Sequence, residues 1–135
     1  MKKNINAMPI DALQIFAENT NITASGVFGA VVDLKGLGFG KATLVMDVAV
    51  ADAADADEVY SVGVEFSEDL AFSTPVQDQV IDIPRGVLGR KLQPINNQIG
   101  DTMYRYVRLN LVLAGTTPSL TMTSFISEDI KMMVR

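Results

Sequence analysis

Asp52-Ala53-Ala54-Asp55-Ala56-Asp57-Glu58 is the only carboxylate cluster in this chain of 135 residues. Converging carboxylate oxygens are what a hard cation such as Ca²⁺ recruits. The spacing is not that of an EF-hand, and no glycine supplies the sharp bend of such a loop. The segment therefore reads as a solvated connector between strands, and no metal ligand is assigned. Paired carboxylates also carry glycoside hydrolysis. Nothing in the sequence places two acids across a cleft, aromatic residues are few, and tryptophan, the best sugar-stacking residue, is absent. Gly36-Leu37-Gly38-Phe39-Gly40-Lys41 has the composition of a phosphate loop but fits neither the dinucleotide nor the Walker spacing. No helical pattern follows it, so its glycines read as a flexible connector.

Missing residue types narrow the chemistry further. The chain has no cysteine and no histidine. That excludes a thiolate nucleophile, a Ser–His–Asp or Cys–His pair, a zinc finger, a haem ligand set and an Fe–S cluster. Catalysis would fall to carboxylates, Lys, Tyr or Ser alone; the expectation is a protein that is not an enzyme and carries no cofactor. The absence of cysteine leaves the redox compartment open.

The elements that carry these residues show a period of two. Leu44, Met46, Val48 and Val50 alternate with more polar neighbours within Thr43–Ala51. Tyr60, Val62, Val64 and Phe66 do so within Val59–Phe66. Val107, Leu109, Leu111 and Leu113 repeat the pattern in Met103–Leu113, with Tyr104 and Tyr106 expected on one strand face. Leu120, Met122, Ser124 and Ile126 alternate with Thr121, Thr123 and Phe125. Such alternation marks strands with one buried face. Shorter candidates are Leu13–Ala17, Val27–Leu34, Val76–Ile83 and Leu92–Ile95. Turn residues separate the runs at Ser25-Gly26, Ser73-Thr74-Pro75, Pro84-Arg85-Gly86, Gly100-Asp101 and Gly115 to Pro118. Beyond a turn at Glu68–Phe72 no helix is expected. About eight strands without a long helix or a repeat imply an all-β, antiparallel sandwich or barrel.

The length suits one domain, which residues 13–135 are expected to form. Residues 1–12 contain Pro9 and lack a clean period, so they read as an extended N-terminal arm. The start has positive charge but no apolar stretch after it, unlike a signal peptide. No apolar run is long enough to span a bilayer, and no membrane partner is expected. Mean hydropathy is nevertheless positive, at +0.23, which fits either a well-filled β core or apolar surface buried against other subunits. Met46 and Met122 fall on core faces, whereas Met1, Met8, Met132 and Met133 lie near the termini, where a docked tail is plausible.

Charge is segregated within the net −5. Ala42 to Pro84 holds ten acidic residues and no basic one; Arg85 to Arg108 holds five basic residues against Asp101. These are either solvated loops and strand faces or complementary patches that meet on neighbouring molecules. The basic stretch is short in a net acidic chain, so no direct nucleic-acid contact is expected.

Several segments together resemble one family. Asp11-Ala-Leu-Gln-Ile-Phe, Thr20-Asn-Ile-Thr and Val32-Asp33-Leu34 open the series. Ser67-Glu-Asp69-Leu-Ala-Phe72-Ser73, Tyr104-Arg-Tyr-Val-Arg-Leu109 and Gly115-Thr116 continue it. In order and spacing they are similar to the jelly-roll capsid cement (decoration) proteins of tailed bacteriophages, over most of the chain. The chain departs from the pattern at Ala17-Glu18 and at Gly26-Val-Phe-Gly29, where a more polar stretch is expected. The resemblance implies a jelly-roll sandwich that associates with itself, as a homo-dimer or homo-trimer, and sits on the outer capsid surface of a virion after synthesis in the host cytoplasm. There it would bridge major capsid proteins and stabilise the mature shell. On that basis, and on the aperiodic arm and the charge segregation, Met8, Pro9, Ile10, Arg85, Arg90 and Lys91 are the expected capsid or subunit contacts. The alternative is a carbohydrate- or receptor-binding sandwich of a virion tail or fibre, to which the Asp52–Glu58 loop would contribute.

Overall fold

A computed structural model describes residues 14–34 and 41–128. The expected N-terminal arm, including Met8, Pro9 and Ile10, lies outside the described residues, as do the Gly36–Gly40 connector and the terminal methionines.

The period-two segments become strands β1 (Ile15–Ile22), β2 (Gly26–Asp33), β3 (Lys41–Ala51), β4 (Val59–Ser67), β5 (Val76–Ile83) and β6 (Gly89–Asn96). After these come the short β7 (Gln98–Ile99) and β8 (Thr102–Met103), then β9 (Tyr106–Ala114) and β10 (Leu120–Glu128). Eight of them form two four-stranded antiparallel sheets, ordered β1-β10-β3-β6 and β2-β9-β4-β5. Two packed antiparallel sheets in this crossed order make a jelly-roll sandwich. Among the described residues there are ten strands rather than about eight. The addition is a two-residue pair, β7 with β8, closed by a turn in which Gly100 takes a φ of +62°. Two-residue strands are too short to display an alternation. β1 is also longer than expected, running on to Ile22 through register shifts against β10. Segment 68–72 forms a turn, with the Phe72 N–H donating to the Asp69 carbonyl at 3.1 Å.

The core fills the space between the sheets. From the first sheet come Phe16, Leu44, Met46, Val48, Leu120, Met122 and Ile126. From the second come Phe28, Tyr60, Val62, Val64, Phe66, Val107, Leu109 and Leu111. Each set obeys the alternation of its strand, so a one-residue slip would turn that strand's apolar set to the outside. Tyr104 differs from expectation. It precedes β9, where the strand period does not hold, and packs against the core with its ring 6.1 Å from that of Phe66. Tyr106 lies within β9 opposite Asp33 and Ser67, under the guanidinium of Arg105 at 5.1 Å.

The two sides of the sandwich close differently. At the β1/β2 side Gly29 has a φ of +72°, and a Cβ there would lie 2.0 Å from the Phe16 carbonyl oxygen. Glycine is thus required at this position for the two sheets to approach. At the β5/β6 side the contact is polar. The Gln93 amide donates to Gln79 Oε1 at 2.8 Å, and the Gln79 amide donates to the Pro94 carbonyl at 3.2 Å. Pro94 is tolerated because β6 is an edge strand.

Candidate functional site

At one end of the sandwich the 52–58 connection is tied to the 84–88 and 115–119 connections, and Ser25 of the 23–25 connection bonds to Leu113 at the end of β9. The buried Tyr60 anchors the junction from below. Its hydroxyl lies 2.8 Å from the Asp52 carbonyl oxygen and accepts the Ser119 N–H at 3.0 Å. Burial raises the phenol above its ordinary pKa. The Asp52 N–H donates to the Ser119 carbonyl, and the Gly86 N–H to that of Ala51, so the 52–58 connection is fixed from both sides.

Its acids are held in defined positions. Asp57 accepts the Thr116 N–H at 3.1 Å and the Thr116 hydroxyl at 2.6 Å, which keeps its carboxyl below the usual range. Asp55 accepts the Thr117 hydroxyl at 2.5 Å and donates its own N–H to Glu58 Oε2 at 2.9 Å. Glu58 departs most from a solvated connector: it is 1% exposed, and its Oε1 has no hydrogen-bond partner among the described residues. Asp55, Asp57 and Glu58 each place a carboxylate oxygen within 4.8 Å of the others. Asp52 stands outside this group, with its carboxylate turned to the Ala54 N–H. The approach of the 115–119 connection again depends on glycine. Gly115 has a φ of +116°, and a Cβ on it would lie 2.8 Å from both the Asp57 carbonyl oxygen and the Glu58 Cα.

The basic residues singled out from the sequence are not brought together. Arg85 sits at this loop end and donates from Nη1 to the main-chain oxygen of Glu58 at 3.5 Å. Arg90 and Lys91 are consecutive on β6 and so point to opposite sides of it. Arg90 is engaged within the fold by a two-pronged pair with Asp47 at 2.8 and 2.7 Å, and its guanidinium is 6.0 Å from the centre of the Phe125 ring. Arg108 similarly meets Glu65 at 2.8 Å and lies 4.3 Å over Phe72. The segregation of charge along the chain is thus partly resolved inside the molecule, because acidic β3 and β4 pair with basic β6 and β9.

Two further surfaces escaped the sequence reading. On the outer face of the first sheet, Phe125 and Val45 pair with each other and are buried, although their strand positions point away from the core. A phenylalanine alternating with Thr121 and Thr123 was the available signal. On the outer face of the second sheet, Val27, Val59, Val80 and Val112 are 46%, 54%, 55% and 50% exposed. Val80 pairs with Gly63, whose other partner, Asn110, pairs in turn with Val27. A groove of about 470 Å³ also opens along Thr43, Asp78, Gln79, Pro94 and Asn96. It contains a single carboxylate and no partner base. Among the described residues no helix is long and apolar enough to cross a membrane.

Comparison with known proteins finds no family model that matches the chain and no curated protein that matches it.

Proposed function

We propose that the protein is a capsid cement protein: it binds the outer surface of a phage head, bridges major capsid proteins and stabilises the mature shell. The observation that carries this reading is the half-exposed valine face of the second sheet, on a sandwich whose sequence resembles that family. Val27, Val59, Val80 and Val112 project from neighbouring strands of a rigid sheet. An apolar face of this kind favours contact with another protein surface. Val87 and Leu88, exposed in the 84–88 connection, extend the apolar surface at the loop end. A cement acts by occupying the assembled lattice and not its separated subunits, which shifts the assembly equilibrium toward the shell. Self-association into a dimer or trimer multiplies a modest contact energy.

The test is co-sedimentation of the full chain with purified, expanded shells. Stoichiometry comparable to that of the major capsid protein supports the proposal; protein that remains in the supernatant at every concentration overturns it. Charge reversal at Arg85 and Lys91 tests the electrostatic share, because a loss that is steeper at low salt identifies screened surface charge. Arg90 is a poor choice for this purpose, since its reversal also breaks the Asp47 pair. The second reading, a carbohydrate- or receptor-binding module of a virion tail or fibre, draws on the acidic loop end. Glycan binding that requires calcium, with only a few copies per particle, favours it.

A further inference from the structure

We propose that the loop end of the sandwich is a Ca²⁺ site, with Asp55, Asp57 and Glu58 as its carboxylate ligands. Glu58 supplies the reason. Its carboxylate is buried and turned toward the two aspartates, and only Oε2 has a donor, the Asp55 N–H at 2.9 Å. Oε1 is enclosed with no hydrogen-bond partner among the described residues. A buried carboxylate oxygen is ordinarily satisfied, since desolvation without a compensating interaction is costly. The carboxylates of Asp55 and Asp57 stand beside that of Glu58 and repel its charge, and a cation among the three would reverse that repulsion. Arg85 lies nearby, but the hydrogen bond it makes in this region goes to the main-chain oxygen of Glu58 and not to a carboxylate.

The donor set selects the type of ion. All three ligands are hard oxygens, with no histidine or cysteine anywhere in the chain to favour a softer metal. Their oxygens lie within 4.8 Å of one another. Three protein carboxylates on an irregular loop suit Ca²⁺, which takes several oxygens at about 2.3–2.6 Å in flexible geometry, whereas Mg²⁺ usually takes one or two carboxylates and keeps its waters. Thr116 and Thr117 already orient Asp57 and Asp55 from the facing connection, so one ion would fasten the 52–58 and 115–119 connections together. Asp55 and Asp57 are exposed, which leaves an open route for the ion and room for water ligands. The site needs neither a shell nor a second copy of the chain.

Calorimetric titration of the chelator-treated full chain with CaCl₂ tests this directly. The expected result is one saturable site with a Kd of about 10⁻⁴–10⁻³ M, the range of open extracellular modules. At about 100 times that Kd the thermal midpoint should rise by about 5–15 °C. Asp55→Asn, an exposed and conservative change, and Glu58→Gln, which keeps shape and burial, should each weaken binding at least tenfold. The Asp55→Asn variant is expected to keep the midpoint of the chelated parent, so a fold defect does not confuse the reading. Absence of saturable uptake up to about 10 mM, or uptake that survives either substitution at full strength, overturns the proposal.

Discussion

The outer faces of the two sheets are built from the same alternation and end in opposite states. On the first sheet Phe125 and Val45 are fully buried beside the Arg90–Asp47 pair. On the second, Val27, Val59, Val80 and Val112 stand about half exposed. Strand period decides which way a side chain points and leaves open what lies above it. The first face is a second apolar layer that belongs to the stability of the subunit. The second is apolar surface available to something else.

Replacing Phe125 by Ala should have the largest effect. Loss of a buried ring costs about 3 kcal/mol or more, read as a shift in the urea midpoint at constant slope. A cost below about 1 kcal/mol, typical of surface substitutions, would erase the distinction between the two faces.

The ion pairs provide a finer test. Arg108–Glu65 on the second sheet is the more sheltered, with side chains 25% and 13% exposed, against 38% and 36% for Arg90–Asp47. Arg108 also stacks on Phe72. Double-mutant cycles should return about 1–2 kcal/mol for the Arg108–Glu65 coupling and under about 1 kcal/mol for Arg90–Asp47. Equal couplings would mean that burial does not differentiate them.

Acid titration should separate the regions again. Hydrogen bonding to Arg90 holds Asp47 below its usual 3.8, and the hydroxyls of Ser73 and Ser67 do the same for Asp69. Carboxyls depressed in the folded state contribute stability that is complete above their unfolded pKa and is lost as pH falls through the lower folded value. Stability should thus be flat in these groups from neutral pH to about 5 and decline below about 4. Asp47→Asn should flatten that acid decline by a small amount while lowering stability at pH 7. An unchanged acid limb would remove the pair from the account.

The smallest effect on folding is expected at the valines. Val80→Thr and Val112→Thr retain strand-forming β-branched shapes at exposed positions, so stability should change by less than about 0.5 kcal/mol. Their effect should appear in binding to shells, as a several-fold loss. Unaltered shell binding in the double variant would leave the second face without a partner.

Much of the fold was legible in local pattern. The apolar positions of β3, β4, β9 and β10 could be read one by one because each strand has a single core face. The pairing order could not, because β1 meets β10 and β2 meets β9 through contacts that leave no local trace. The loop end was legible only as a set of acids. Glu58 falls on the same face as Tyr60 and Val62 in the alternation, and the backbone of Gly115 packs on it from a distant segment, a contact that nothing in Asp52–Glu58 announces. Arg90 looked available for a partner because its own, Asp47, lies on a strand remote in sequence. Tyr104 belonged by period to a strand that had not yet begun.

The strand order also sets a timetable for synthesis. β3 with β6 and β4 with β5 all come from one contiguous stretch and can pair while the chain is still emerging. β1 and β2, made earlier, border only β10 and β9, which emerge last. The first two strands therefore wait unpaired until β9 and β10 emerge, and these later strands complete both sheets by entering between strands already present. Such long-range closure places folding in the millisecond-to-second class and leaves the waiting edges open to association with other nascent chains. A ribosome-bound chain that stops at Gly115 would hold β9 but not β10, and β1 would have no strand to join.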